Sequence, residues 1–195
     1  MPEQPEPKGW TPIEDSQNAA AFLVLAAQSL AAPVEVFLRT RFGRRYFGVP
    51  AAIGLFAVPM WMMFWPGEDA TPIFTFWVLF LVIQGRARIE SILMSSRGDL
   101  VHSRYNGRPR LQRFFRRAGE RRVKAVHEPL LVIGTGVLML GVSEPLGSYL
   151  ITAGICLALV ASVIEGVERN RLMSMHDAWL EQQYHAERFR DITGR

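Results

Sequence analysis

The sequence holds one cysteine, Cys156, and two lysines, Lys8 and Lys124. A lone cysteine excludes an internal disulfide and any cysteine-based metal site, and its place inside an apolar run marks it as a small buried hydrophobe. Catalytic signatures are equally scarce. Neither HExxH nor GxSxG occurs, and there is no phosphate-cradling glycine loop. His127-Glu128-Pro129 begins like a zinc motif, but the proline and the missing second histidine break it. Asp177, Glu181 and His185 share a helical face at i, i+4 and i+8, yet no second histidine stands at ligand spacing, so they read as a solvated face. The apolar segments themselves carry no Asp, Glu, Lys, Arg or His in their interiors, whereas transporters and proton pumps usually place an ionisable group at mid-membrane. Glu128, Glu165 and Gln84 fall at the segment ends, within reach of an arginine belt. Neither an enzyme nor a cofactor is expected.

What the sequence does have is apolar length. Of its 195 residues 49% are hydrophobic and 11% aromatic, more than soluble domains of this size usually carry, which points to a membrane protein. Four segments are apolar enough to enter a bilayer: 46–65, 71–84 (running on through 94 as a helix that emerges into water), 129–142 (extended backwards through 124–128) and 145–164. Each approaches the roughly 20 residues that a helix needs to cross a ~30 Å hydrocarbon layer. Thr71-Pro72 and Pro145 suit helix starts. The expected fold class is an all-α integral membrane protein with four transmembrane helices arranged as two hairpins, flanked by cytoplasmic amphipathic helices.

Charge orients that arrangement. Residues 86–127 carry twelve positive and three negative groups, a net of +9; the whole chain is +4, so the remainder is −5. The turns PGEDA and SEP between paired segments contain no Lys or Arg, whereas RTRFGRRY, the 86–127 stretch and ERNR are basic. By the positive-inside rule the basic flanks lie in the cytoplasm, with both termini there. The divisions that follow are a flexible acidic, proline-rich tail without the basic start of a cleaved signal peptide (1–18), an interfacial helix with its basic flank (19–45), a first transmembrane hairpin (46–92), a basic cytoplasmic loop (93–127), a second hairpin (128–166) and a cytoplasmic C-terminal helix (167–195). Residues 19–38 are apolar enough to make a fifth span. Gln28, Pro33 and Glu35 interrupt them, which favours a helix lying at the interface.

The charged segments carry the candidate contacts. HSRYNGRP (102–109) contains an Asn-Gly turn and a proline, and reads as a loop or short hairpin. Residues 109–126 have helical period, with Leu111, Phe114, Phe115, Ala118, Ala125 and Val126 on one face and Arg110, Arg113, Arg116, Arg117, Arg121 and Lys124 on the other. Such a helix is expected to rest on anionic headgroups with Phe114 and Phe115 beneath it. Binding of nucleic acid by the same arginines and aromatics competes less well, since a loop between two spans carries that charge for topological reasons. Leu172, Met175, Trp179, Gln182, Ala186 and Phe189 recur at three-and-four spacing, as in a packing or coiled-coil seam that docks on the 109–126 helix or on a partner. Tyr105 is a further candidate for partner contact. Gly154, Ala158 and Ser162 form a small-residue stripe, with Gly134 and Gly141 as its candidate receivers.

The function expected from these features is that of a non-catalytic multi-pass subunit of a bacterial inner membrane. It would anchor or scaffold a multi-protein assembly, secretion and conjugation machinery being assemblies of that class. The expected partners are anionic lipid headgroups together with other proteins or further copies of the chain. The alternative is a homo-oligomeric channel or membrane effector gated by an anionic cytoplasmic ligand.

Overall fold

The computed structural model describes residues 12–42, 48–96, 107–115 and 117–193. Its elements are α1 (Pro12–Leu38), β1 (Arg39–Thr40), α2 (Val49–Trp61, continued by a 3-10 turn at Met62–Phe64), α3 (Thr71–Ser96), β2 (Arg108–Pro109), a 3-10 turn at Arg110–Arg113, α4 (Glu120–Arg122), a π-turn at Val123–His127, α5 (Glu128–Leu140) and α6 (Glu144–Thr193). Four helical stretches are long and apolar enough to cross a membrane: Asn18–Leu38, Thr71–Met94, Glu120–Leu140 and Glu144–Arg190; Val49–Phe64 is apolar but shorter. Their outward faces carry large apolar side chains such as Phe56, Val78, Leu79, Leu130, Leu138, Ile155 and Leu159. So much exposed apolar surface suits a lipid surround and not water.

The most consequential difference from the sequence expectation is α1. It does not stand apart as a surface helix. Ala31, Ala32, Val34, Val36 and Leu38 are buried, and the helix packs against α2, α3 and α6. The two residues that argued against burial are both accommodated. Pro33 has no N–H for the Ser29 carbonyl, so α1 lacks a rung there. The bare backbone of Gly54 on α2 comes up against that carbonyl, where an added Cβ would stand 2.6 Å from the oxygen. Glu35 is held by an arginine, described below. On α2 a proline vacancy is instead filled by a donor. Pro59 leaves the Leu55 carbonyl without its helical donor, and the Trp77 indole of α3 donates to it at 2.8 Å.

The core lies where α1, α2, α3 and α6 meet. Tyr149 is fully buried there, its hydroxyl donating to the Leu30 carbonyl at 3.0 Å. The rings of Trp61 and Phe76 stand 5.7 and 5.8 Å from it. Cys156 is a buried thiol in the same core. Helices α5 and α6 run back along one another at close range. A Cβ at Gly136 would meet the Ile151 backbone nitrogen at 2.8 Å, and one at Gly147 would meet that of Leu140 at 2.6 Å. Of the expected small-residue stripe only Gly154 makes such an approach, against Ile133 and the Pro129 carbonyl. Gly134 faces open space, Gly141 has ordinary clearance, Ala158 is half-buried and Ser162 is exposed. The register of the two helices places Gly136 and Gly147 at the crossing instead.

The expected amphipathic helix over 109–126 is not a helix along that length. Pro109 is extended and belongs to β2, and Gly119 is extended again at the start of α4. Pro109 pairs with Arg39 and Arg108 with Thr40 in a two-residue antiparallel bridge, which holds the chain out of helical conformation. The π-turn that follows also has a local cause. Pro129 would clash with the carbonyl four residues back, and a wider turn relieves it.

At the other end Trp65, Pro66, Gly67 and Glu68 form a turn closed by Glu68 N–H to Trp65 O at 3.4 Å, with Gly67 at φ +96°. Asp69 then accepts from the Thr71 hydroxyl at 2.6 Å and the Thr71 amide at 2.9 Å, opening α3.

Substituting Gly136 or Gly147 with alanine is expected to cost about 1–3 kcal/mol by overpacking. Gly134→Ala should be neutral, or stabilising by up to about 1 kcal/mol. Unfolding midpoints in a common detergent measure the contrast, and equal effects at all three positions would contradict the crossing described. The Thr71 hydrogen bonds, the hydroxyl's first, hold the Asp69 carboxyl below the usual aspartate range. Its contribution to the α3 start is therefore present above the ordinary aspartate pKa and is lost as pH falls through the depressed value. Carbon-13 NMR titration of Asp69 should show that low midpoint, and Thr71→Val should move it back upward.

Candidate functional site: a buried charge cluster and an exposed helix

At the junction of α1, β1 and α5 three charged side chains are shut away from solvent. Arg39 donates through Nε to Glu128 Oε2 at 2.8 Å, and its Nη2 stands 2.7 Å from the same oxygen. Its Nη1 donates to Glu35 Oε1 at 3.0 Å. The Arg39 side chain is 1% exposed and that of Glu128 is 0% exposed. The first pair is local: a glutamate four residues before an arginine lies on the same helical face, here the last turn of α1. The second joins residues 89 positions apart. Gly107 closes the cluster from the loop side at φ +72°, its backbone so near that a Cβ would stand 3.0 Å from the Arg39 Cβ and the Phe42 ring. A side chain there would be both strained and obstructed.

Glu128 is the ninth residue of the Glu120–Leu140 stretch. It stands at the end of the apolar run that makes up α5, within reach of an arginine as its place in the sequence suggests. Its Oε1 has no hydrogen-bond partner among the described atoms. Nearby, Lys124 Nζ stands 2.7 Å from Glu120 Oε1, half-buried. The fork was partly legible. Glu35 and Arg39 have the i, i+4 spacing, and Glu128 stands within an arginine's reach, but no pattern in the sequence joins Arg39 to Glu128. Among the described residues no group of three or more His, Cys, Asp or Glu is placed to hold a metal ion.

The predicted contact residues are dispersed. Arg110, Arg113, Arg117 and Arg121 are exposed; Tyr105 and Arg116 lie outside the described residues. Phe114 is 85% exposed, and the Phe115 ring lies tilted against the His127 ring at 4.4 Å. They share no continuous apolar underside, because no single helix carries them.

The C-terminal contact residues are collected on one element. The last apolar span and the C-terminal helix are not separate: α6 is one helix of 50 residues, about 75 Å long. Residues 162–190 are exposed throughout, and Arg121 pairs with Glu168 at 2.7 Å at the base of that extension. Leu172, Met175 and Trp179 are displayed along it, each more than half exposed, and Phe189 is exposed further on. The seam thus does not dock on the 109–126 segment, which forms no helix to receive it.

Replacing Arg39 by Met leaves two carboxylates buried without their cation, and is expected to cost about 3–5 kcal/mol. Adding Glu35→Gln and Glu128→Gln to the same chain should recover most of that loss. Unfolding midpoints of the single and triple variants decide it; a triple variant no better than the single would show that burial of the carboxylates is not the cost. No protein-family model matches the chain, and no curated protein or solved structure matches it either, so its role has to be read from its own residues.

Proposed function

We propose that this protein is a non-catalytic, multi-pass membrane subunit of an inner-membrane assembly, which fastens its partners through the exposed half of α6. The observation that carries this reading is the α6 extension itself. A helix anchored in the apolar bundle continues for about 40 Å with every residue exposed, presenting Leu172, Met175 and Trp179 at seam spacing. Large apolar side chains held in water at regular spacing are a cost unless something covers them. The bundle offers less to an alternative as a channel, because Tyr149, Trp61 and Phe76 fill its centre and a pore would have to form between copies.

The orientation follows from charge. Residues 107–115 and 117–127 of the basic loop, the Arg39 cluster and the α6 extension share one end, which the positive-inside rule assigns to the cytoplasm. With α1 running through the bundle to Arg39 at that end, the start of α1 is read as lying on the opposite side, whereas charge alone puts it in the cytoplasm. The C-terminus stays cytoplasmic.

Deleting residues 168–195 is expected to leave membrane insertion and the bundle's unfolding midpoint intact while abolishing co-purification of the partner. If the shortened chain pulls down the same proteins, docking through α6 is wrong.

A further inference from the structure

The charges beside the α6 seam are sorted by sign. With Leu172, Met175, Trp179, Gln182 and Ala186 on the seam, the flanking positions are Arg169, Arg171, His176, Ala178, Gln183, His185 and Arg190. No acid stands among them. The acids of this stretch, Asp177, Glu181 and Glu187, all fall on the outer side of the helix, which they share with Arg188. All of these residues are exposed. In a two-helix seam the flanking positions of one helix face those of the other, so their charges select the partner.

A second copy of α6 fits poorly by this rule. Packed parallel, Arg171 would face His176 and His185 would face Arg190 of the other copy. Packed antiparallel, His176 would face Arg190 and Arg171 would face His185. Either way a cation meets a histidine, and no attractive pair forms. We propose that the seam takes an amphipathic helix of a different protein, apolar at its seam positions and acidic at the positions beside them. The inference rests on the docking role of α6 and adds the partner's chemistry to it. Ala186 leaves room for a large side chain, whereas Trp179 requires a small one opposite, so the partner's seam is expected to be small and large in the reverse order.

The test uses the full chain in nanodiscs of zwitterionic lipid and two labelled synthetic helices of three heptads. Both have leucine at the seam positions except for alanine opposite Trp179; one has glutamate beside the seam and its twin has lysine there. Fluorescence anisotropy should show the glutamate helix binding about tenfold or more tightly than its twin, as several weak charge pairs add up. The double variant Arg171→Glu/Arg190→Glu should reverse that preference, and Trp179→Asp should abolish binding of both helices. These positions are exposed, so loss of fold is not the expected cause, and an unchanged unfolding midpoint checks it.

Equal binding of the two helices overturns the proposal. So does a chain that dimerises through a Met175→Cys crosslink, or one whose residues 172–186 are protected from proteolysis by phosphatidylglycerol vesicles but not by the glutamate helix. If deletion of 168–195 abolishes partner capture while charge reversal leaves it unchanged, the docking reading stands and the acidic partner falls. If deletion changes nothing, the docking reading falls first.

Discussion

A guanidinium between two carboxylates can be wet or wholly paired, but it cannot be buried and left half-satisfied. Arg39 is wholly buried, and the rest of the chain's arrangement depends on its fork. One arm holds the last turn of α1 through Glu35, and the other reaches Glu128 at the start of α5. Because desolvating three charges costs several kcal/mol per ion, the cluster forms only where the geometry recovers that cost. Its value is therefore positional. Moving α1 relative to α5 would leave a buried carboxylate without its cation, and moving the 107–113 segment would open the cluster to solvent.

The prolines show a second constraint of the same kind. Each one inside a helix deletes a backbone donor, and in an apolar surround the orphaned carbonyl has no water to turn to. At Leu55 the vacancy is filled by the Trp77 indole, and at Ser29 the bare backbone of Gly54 packs directly against it. The replacement bond at Leu55 and the close packing at Ser29 tie α2 to its neighbours on both sides, so residues that would weaken an isolated helix become the points that locate it in the bundle.

The molecule then divides its chemistry by location. Inside the bundle the charged groups that are buried, Glu35, Arg39 and Glu128, are joined to one another across elements. Beyond it, α6 carries apolar groups that nothing in the bundle covers, with cations beside them and acids on the far side. The Arg121–Glu168 pair marks the change from one regime to the other. An exposed ion pair of that kind adds little stability, so it does not hold α6 down.

How much of this was legible depended on whether the cause was local. Apolar length, the starts of α3 and α6 at Thr71-Pro72 and Glu144-Pro145, the buried Cys156 and the seam spacing of α6 all follow from residues within a few turns of one another, and the sequence by itself determined them. The place of α1 did not follow, because Pro33 and Glu35 are unfavourable only until Gly54 and Arg39 are brought against them. Nor did the break in 109–126, where helical period was present but pairing of Pro109 with Arg39 overrode it. The Arg39–Glu128 contact spans 89 positions and leaves no periodic trace. The tertiary structure alone decided these, since a buried charge or an orphaned carbonyl takes its free energy from whatever the fold places beside it and not from its neighbours along the chain.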